Sequence, residues 1–313
     1  MDPIGSIKPY KDTTLALLLE AERRGWEIRY MELGDLSLRD GQALGNSAEL
    51  HVCDDRERWH ELGQRQRRPL AELDIVLMRK DPPVSSEYLY ATYILEAAER
   101  EGTLVVNRPQ GLRDAQEKLF IANFPQCCAP TLVSMAADEL RGFIQEQGKV
   151  VLKPLHGMGG ESVFLLEQGD PNTSVVIETL SDHGTRQLMA QRYIEQIRRG
   201  DKRIVLLAGE PIPYALARIP ASGETRGNIA AGGRGEGVTL NERDLWICRQ
   251  VAPALRERGL LFVGLDVIGD YLTEVNVTSP TCVRELDAIY GISISSEFFD
   301  LIEQRLESRR TSV

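Results

Sequence analysis

Apolar residues recur at helical spacing in DTTLALLLEAERRG, which predicts a helix from Asp12 to a stop at Gly25, and WEIRYM (26 to 31) then predicts a strand. DIVLMRKDPP (74 to 83) reads as a strand ended by two prolines, YLYATYILEAAEREG (88 to 102) as a helix closed by glycine, and TLVVN (103 to 107) as a further strand. This alternation predicts an open, mostly parallel α/β sheet over residues 1–111. A strand ahead of the first helix would complete a βαβ unit. Met1-Asp2-Pro3-Ile4 already has the character of the loop after such a strand, so a late start, by truncation or at an internal methionine, is expected.

Near Leu112 the rhythm changes. Helices are predicted over 112 to 123 and 137 to 147, with a Pro/Cys loop between them. KVVLKPLHGMGGESVFLLE then reads as strand, glycine loop, strand, which suits antiparallel pairing. From 188 onward come MAQRYI, a strand pair KRIVLLAGEPIPYALARI turning at Gly209-Glu210, a glycine-rich stretch, and a helix from about 242 that Pro253 should kink. A hairpin, LLFVGLDVIGDYLTEVNV, and an amphipathic helix over 295 to 309 follow. The divisions expected are 1–111, 112–187 and 188–313.

In that hairpin, Glu274 and Asn276 share one face of a strand whose other face carries Thr273, Val275 and Val277. A turn of only Gly269-Asp270 would set Val263 and Leu265 opposite Asn276 and Glu274. If the loop absorbs one more residue, Asp266 faces Glu274, Gly264 faces Asn276, and the apolar residues form one coherent face. The second register is the one the hydrophobic pattern selects. Asp266, Glu274 and Asn276 are then hard oxygen donors of the kind that hold magnesium or manganese, or else the solvated outer face of a surface hairpin.

The composition is that of an ordinary globular chain of 313 residues, long enough for two or three packed units. A formal net charge of −10 argues against a sequence-independent nucleic-acid binder. Cys53, Cys127, Cys128, Cys248 and Cys282 show no CxxC spacing, which fits free thiols in a reducing cytosol better than a disulfide or zinc framework. No segment reaches about 18 consecutive apolar residues, and the opening residues are not a charged stretch followed by an apolar one. A soluble, cytoplasmic protein with no membrane partner is expected.

Two further stretches bear on chemistry. Lys153 stands near the end of an apolar strand, and Gly157, Gly159 and Gly160 follow it, where backbone amides and a lysine could meet a phosphate. A simple turn is the alternative, since no Walker GK[ST] is present. ARIPASGETRGNIAAGGRGEG (217 to 237) is too long and glycine-rich for an economical connection. It reads either as a lid carrying Arg218, Arg226, Asn228 and Arg234 or as a surface loop with solvated arginines.

Taken in order and spacing, MRKDPP, VLKPLHGMGGESV, MAQRYI, GDKRIVLL, ARIPASGETRGNIAAGGRGE, FVGLDVIGD and TEVNVTSPTCVRE strongly resemble the bacterial glutathione synthetases of the ATP-grasp superfamily. The resemblance spans nearly the whole chain. It implies an ATP-grasp fold, with 1–111 as a substrate domain, 112–187 as a lid subdomain and 188–313 as a catalytic antiparallel-sheet domain. It implies that Lys118 and Lys153 touch ATP phosphates beneath the 157–160 loop. Gln191, Tyr193 and Ile194 would surround adenine, and Asp201 would meet ribose.

Asp266, Glu274 and Asn276 match the metal ligands. Arg203, Arg218, Arg226 and Asn228 match residues around the transferred phosphate and acyl group, and Gly232, Gly233 and Arg234 match the closing loop. Arg79, Asp81 and Pro82 would line the dipeptide site, and Ser279, Thr281 and Arg284 the acceptor site. The implied reaction joins γ-glutamylcysteine and glycine through an acyl phosphate, in a homotetramer. His156 departs from the aspartate common before Gly-Met-Gly-Gly. Rival readings are another ATP-grasp carboxylate–amine ligase and a non-catalytic ATP-binding module.

Overall fold

The computed structural model describes residues 1–157, 159–221 and 233–311. In the first region, α1 (Thr13–Arg23) is capped by Asp12, whose carboxylate accepts from the Leu15 amide. Then come β1 (Arg29–Tyr30), β2 (Leu36–Arg39), β3 (Gln42–Val52), β4 (His60–Pro69), β5 (Ile75–Leu77), α2 (Ser86–Arg100) and β6 (Leu104–Val106). Long β3 pairs antiparallel with β1, β2 and β4, and β5 pairs parallel with β6.

The parallel sheet expected here is thus confined, among the described residues, to β5 and β6. The larger sheet is antiparallel because Asp40 and Gly41, with φ of 51° and 86°, turn β2 straight back into β3. β4 is polar and exposed along most of its length, so it carries no apolar period.

The second region holds α3 (Pro109–Asp114), β7 (Thr131–Ser134), α4 (Ala137–Gln147), β8 (Lys149–Pro154), β9 (Phe164–Glu167), α5 (Thr173–Leu180) and β10 (Leu188–Arg192). Its antiparallel sheet runs β7-β10-β8-β9. β10 lies inside this sheet, between β7 and β8. The single helix expected over 112 to 123 is broken: α3 ends at Asp114 and a 3₁₀ turn covers Leu119–Asn123. The break has a cause, since the Glu117 carbonyl accepts from the Val275 amide and its carboxylate from residues 277 and 278.

The third region contains β11 (Asp201–Leu207), β12 (Glu210–Ile219), β13 (Arg234–Thr239), α6 (Glu242–Glu257), β14 (Phe262–Ile268), β15 (Tyr271–Asn276), α7 (Val283–Tyr290) and α8 (Ile294–Thr311). Its sheet runs β13-β12-β11-β14-β15, antiparallel throughout. One apolar core joins all three regions, through Tyr88 and Leu95 of α2, Phe120, Val251 of α6, Leu265 of β14 and Val275 of β15. The central sheet keeps its own core under α4 and α5, where Val150, Leu152, Leu188 and Ala190 pack on Leu140 and Ile144. Alternation then turns Val151, Lys153 and Gln191 the other way, toward the third region.

Candidate active site

The carboxylate hairpin forms the floor of a cleft. Its register sets Gly264 opposite Asn276 and Asp266 opposite Glu274, as the apolar pattern predicts. The extra residue sits in the strand and not in the turn: Thr273 bulges out, and its hydroxyl donates to the Asp266 carbonyl at 3.1 Å.

The same face continues across the sheet. Arg203 of β11 lies opposite Asp266, and Arg218 of β12 lies opposite Asp201. Arg203 donates from Nε and Nη2 to the two oxygens of Asp266, at 2.5 and 3.0 Å. Arg218 Nη2 is 2.8 Å from Asp266 Oδ2 and 2.5 Å from Asp201 Oδ2. Burial works against the charge on Asp266, but Arg203 and Arg218 outweigh it and hold the carboxyl well below the usual carboxylate range. Asp201 goes the other way: burial, with repulsion from Asp266, pushes it up to about 6 despite Arg218.

Two lysines enter from elsewhere. Lys118 Nζ lies 3.1 Å from Glu274 Oε1 and also donates to the Gly157 carbonyl. Lys153 reaches from β8 to the Thr273 carbonyl at 3.5 Å, and burial lowers its pKa against the pull of Glu274. Gly159 and Gly160 turn the β8–β9 loop over this point with φ of 62° and 81°, a conformation open to glycine. At the far end, Gln191 donates to Thr131 Oγ1 at 3.0 Å, Lys149 Nζ stands over the Tyr193 ring, and Ile194 is buried.

These groups border a cleft of ≈ 610 Å³. Its remaining wall comes from the first region through Asp2, Lys8, Lys11, Asp12, Asp81 and Pro82. Ser279 and Thr281 also line it, and Arg203 Nη1 donates to Thr281 Oγ1 at 3.4 Å.

Arg79 and Arg284 are not brought into the cleft. Arg79 is buried beneath it, donating to Thr14 Oγ1 and the Pro280 carbonyl over the Phe262 ring, because an apolar core closes around it. Arg284 instead grips Asp54, at 2.7 and 2.9 Å. Arg234 is exposed on β13 and paired with Glu236, and neither it nor Gly233 lines the cleft. Arg226, Asn228 and Gly232 lie outside the described residues.

Sequence reasoning missed Glu117. Its Oε1 accepts from the amides of Val277 and Thr278 and from the Thr278 hydroxyl, which ties the loop after β15 to the start of the 3₁₀ turn. Burial, then the nearby Glu274, pushes its pKa up. Its only sequence signal was its place beside Lys118 in the helix predicted over 112 to 123. Lys8, Lys11 and Glu285 also line the cleft without having been singled out.

The donor set fits a divalent cation. A carboxylate offers about four lone-pair directions. Asp266 spends three of them on Arg203 and Arg218, and Glu274 spends one on Lys118. Asn276 donates from Nδ2 to the Gly264 carbonyl, which leaves its Oδ1 as an acceptor. One open direction on Asp266, several on Glu274 and an amide oxygen suit a hard cation that completes its shell with water and phosphate.

Comparison with known proteins bears on what the cleft serves. The family model for the prokaryotic glutathione synthetase ATP-grasp domain matches residues 117–291, and the N-terminal domain model of the same enzymes matches 1–113. The chain belongs to the prokaryotic glutathione synthetase family. A glutathione synthetase of Pseudomonas putida is 59% identical over 309 residues, covering 99% of this chain and 98% of that protein. One of Yersinia pestis is 57% identical over 311 residues, with the same two coverages. Among solved structures, the ATP-grasp ligase PsnB with precursor peptide PsnA2 and AMPPNP superimposes with a TM-score of 0.62 at 16% identity, over 98% of this chain and 96% of that one. D-cycloserine synthetase DcsG gives 0.59 at 16% identity, over 76% and 85%. The family's ATP-grasp domain and the likeness to PsnB give the ATP-grasp fold.

As a member of the glutathione synthetase family the chain is an ATP-dependent carboxylate–amine ligase. The charged ladder falls within the family's ATP-grasp domain, while Asp81 and Pro82 come from its N-terminal domain, so the cleft lies where the two meet. No helix among the described residues is long and apolar enough to cross a membrane.

Proposed function

We propose that this chain joins γ-glutamylcysteine to glycine at the expense of ATP, in this cleft. The observation that carries the reading is the ladder Arg218–Asp201 and Arg203–Asp266–Glu274–Lys118, which together with Lys153 and the glycine loop lines a cleft of ≈ 610 Å³. A carboxylate resists amines because its leaving group would be oxide. Transfer of the γ-phosphoryl group to the cysteinyl carboxylate makes an acyl phosphate, which glycine's amine can attack with loss of phosphate.

Positioning and charge neutralisation are what such transfer requires. Lys118 and Lys153 hold the triphosphate under the 157–160 loop, Asp201 meets ribose, and Gln191, Tyr193 and Ile194 enclose adenine. Asp266, Glu274 and Asn276 would hold a magnesium ion, with manganese as a substitute, and that ion supplies neutralising charge to the phosphoryl oxygens. Arg203 and Arg218 orient Asp266 and face the acyl group. Their guanidinium charge stabilises the tetrahedral oxyanion. Asp81 and Pro82 border the dipeptide, and Ser279 and Thr281 border the acceptor. By the family relation we assign a cytoplasmic homotetramer, which light scattering checks.

The test is phosphate release from magnesium and ATP with γ-glutamylcysteine, with and without glycine, and with D-alanine and glutamate as control acceptors. Glutathione should form only with both substrates, and Asp266→Ala or Glu274→Ala should lower the rate at least about 100-fold. Equal release with every acceptor, or full activity in both variants, sinks the proposal.

A further inference from the structure

Glu285 stands on the first turn of α7 and lines the cleft. Its Oε2 is shielded from water and has no hydrogen-bond partner among the described residues. A carboxylate oxygen so placed is costly unless a donor arrives. The cations that bear on it are Lys11 from the loop before α1, Arg284 on its own helix and Arg203 of β11. None of the three is ion-paired with it among the described residues: Arg203 is engaged by Asp266 and Thr281, and Arg284 holds Asp54 through Nη2 while its buried Nη1 has no hydrogen-bond partner there. Burial raises its pKa, which an arriving cation would reverse.

We infer that Glu285 receives the ammonium group of the acceptor amino acid. The inference rests on the ligase reading above and adds a binding residue to it. Glu285 follows Thr281 by four residues, Thr281 accepts from the Arg203 that holds Asp266, and Arg203 is among the cations that bear on Glu285. Once the docked ammonium has lost a proton to water, its nitrogen must lie within about 3–3.5 Å of the acyl carbon to attack. The α-ammonium of the γ-glutamyl group lies a whole dipeptide's length from that carbon, so an ammonium docked here belongs to the acceptor.

The test compares glycine with hydroxylamine, a nucleophile that is uncharged at neutral pH, at saturating γ-glutamylcysteine and ATP. In Glu285→Gln the KM for glycine should rise roughly 10- to 100-fold, the loss of one charge-assisted hydrogen bond. Hydroxamate formation and the KM for γ-glutamylcysteine should stay within about twofold. Glu285→Asp, which keeps the charge, should recover part of the glycine affinity and covers the case in which the glutamine variant does not fold. An unchanged glycine KM overturns the inference. So does an equal loss with both nucleophiles, which marks a structural role, or a rise confined to the dipeptide's KM. If the wild-type protein makes neither product, the ligase reading itself falls and this inference with it.

Discussion

An alanine Cβ built at Gly264 would stand 2.8 Å from Arg203 Cδ, 3.2 Å from its Nε and 3.2 Å from Pro280 Cβ. Space for the guanidinium that grips Asp266 therefore depends on a missing side chain. Gly264→Ala should displace Arg203 and lower kcat about tenfold or more while costing about 1–3 kcal/mol of stability. Steady-state kinetics and thermal denaturation check it, and wild-type kcat would refute it. At this scale the site was partly legible. Alternation placed Asp266, Glu274 and Asn276 on one face, because side-chain direction on a strand is a local property. The fates of Arg79 and Arg284 were not, since whether an arginine faces a cleft, a core or Asp54 depends on residues up to 230 positions away.

Between elements, Arg24 at the end of α1 ties that helix to α8. Its guanidinium donates to the Ser296 carbonyl and Asp300, lies 2.9 Å from Glu303, and packs over the Phe299 ring. It also bonds Glu20 one turn back, and Arg23 does the same. The Arg23 bonds, and then Arg24, pull Glu20 down to about 2 from 4.5. A folded pKa below the unfolded one gives stability that is full above about pH 4.5 and lost as pH falls toward 2. Because Arg23 is exposed, we expect about 1–2 kcal/mol from this, not the full value of the shift. Glu20→Gln should flatten the acid limb of stability between those pH values, as acid unfolding followed by circular dichroism will show. Arg24→Ala should lower the thermal midpoint by several degrees. α1, α2 and α8 were readable from helical spacing and their stops. β4 was not, being polar and exposed along most of its length.

Across the whole molecule, the cleft draws on all three regions, so a ligand that fills it binds the folded state alone. A non-hydrolysable ATP analogue with magnesium at a hundredfold excess over its Kd should add about 2.7 kcal/mol. The midpoint should rise accordingly, and chelation of the metal should reverse most of the rise. An equal rise in the presence of chelator would count against the metal site.

The sequence by itself determined the elements that have a strong period and the relative register of β14 and β15. Both follow from interactions within a few residues and from the need to gather apolar side chains on one face. Tertiary structure decided the rest. It ended α3 early by spending Glu117 on the β15 loop, inserted β10 into the central sheet, and placed the extra residue of the hairpin at Thr273. It also set Lys118 against Glu274 and left Glu285 Oε2 without a hydrogen-bond partner among the described residues. These depend on desolvation and on contacts between distant segments, which only the packed chain supplies.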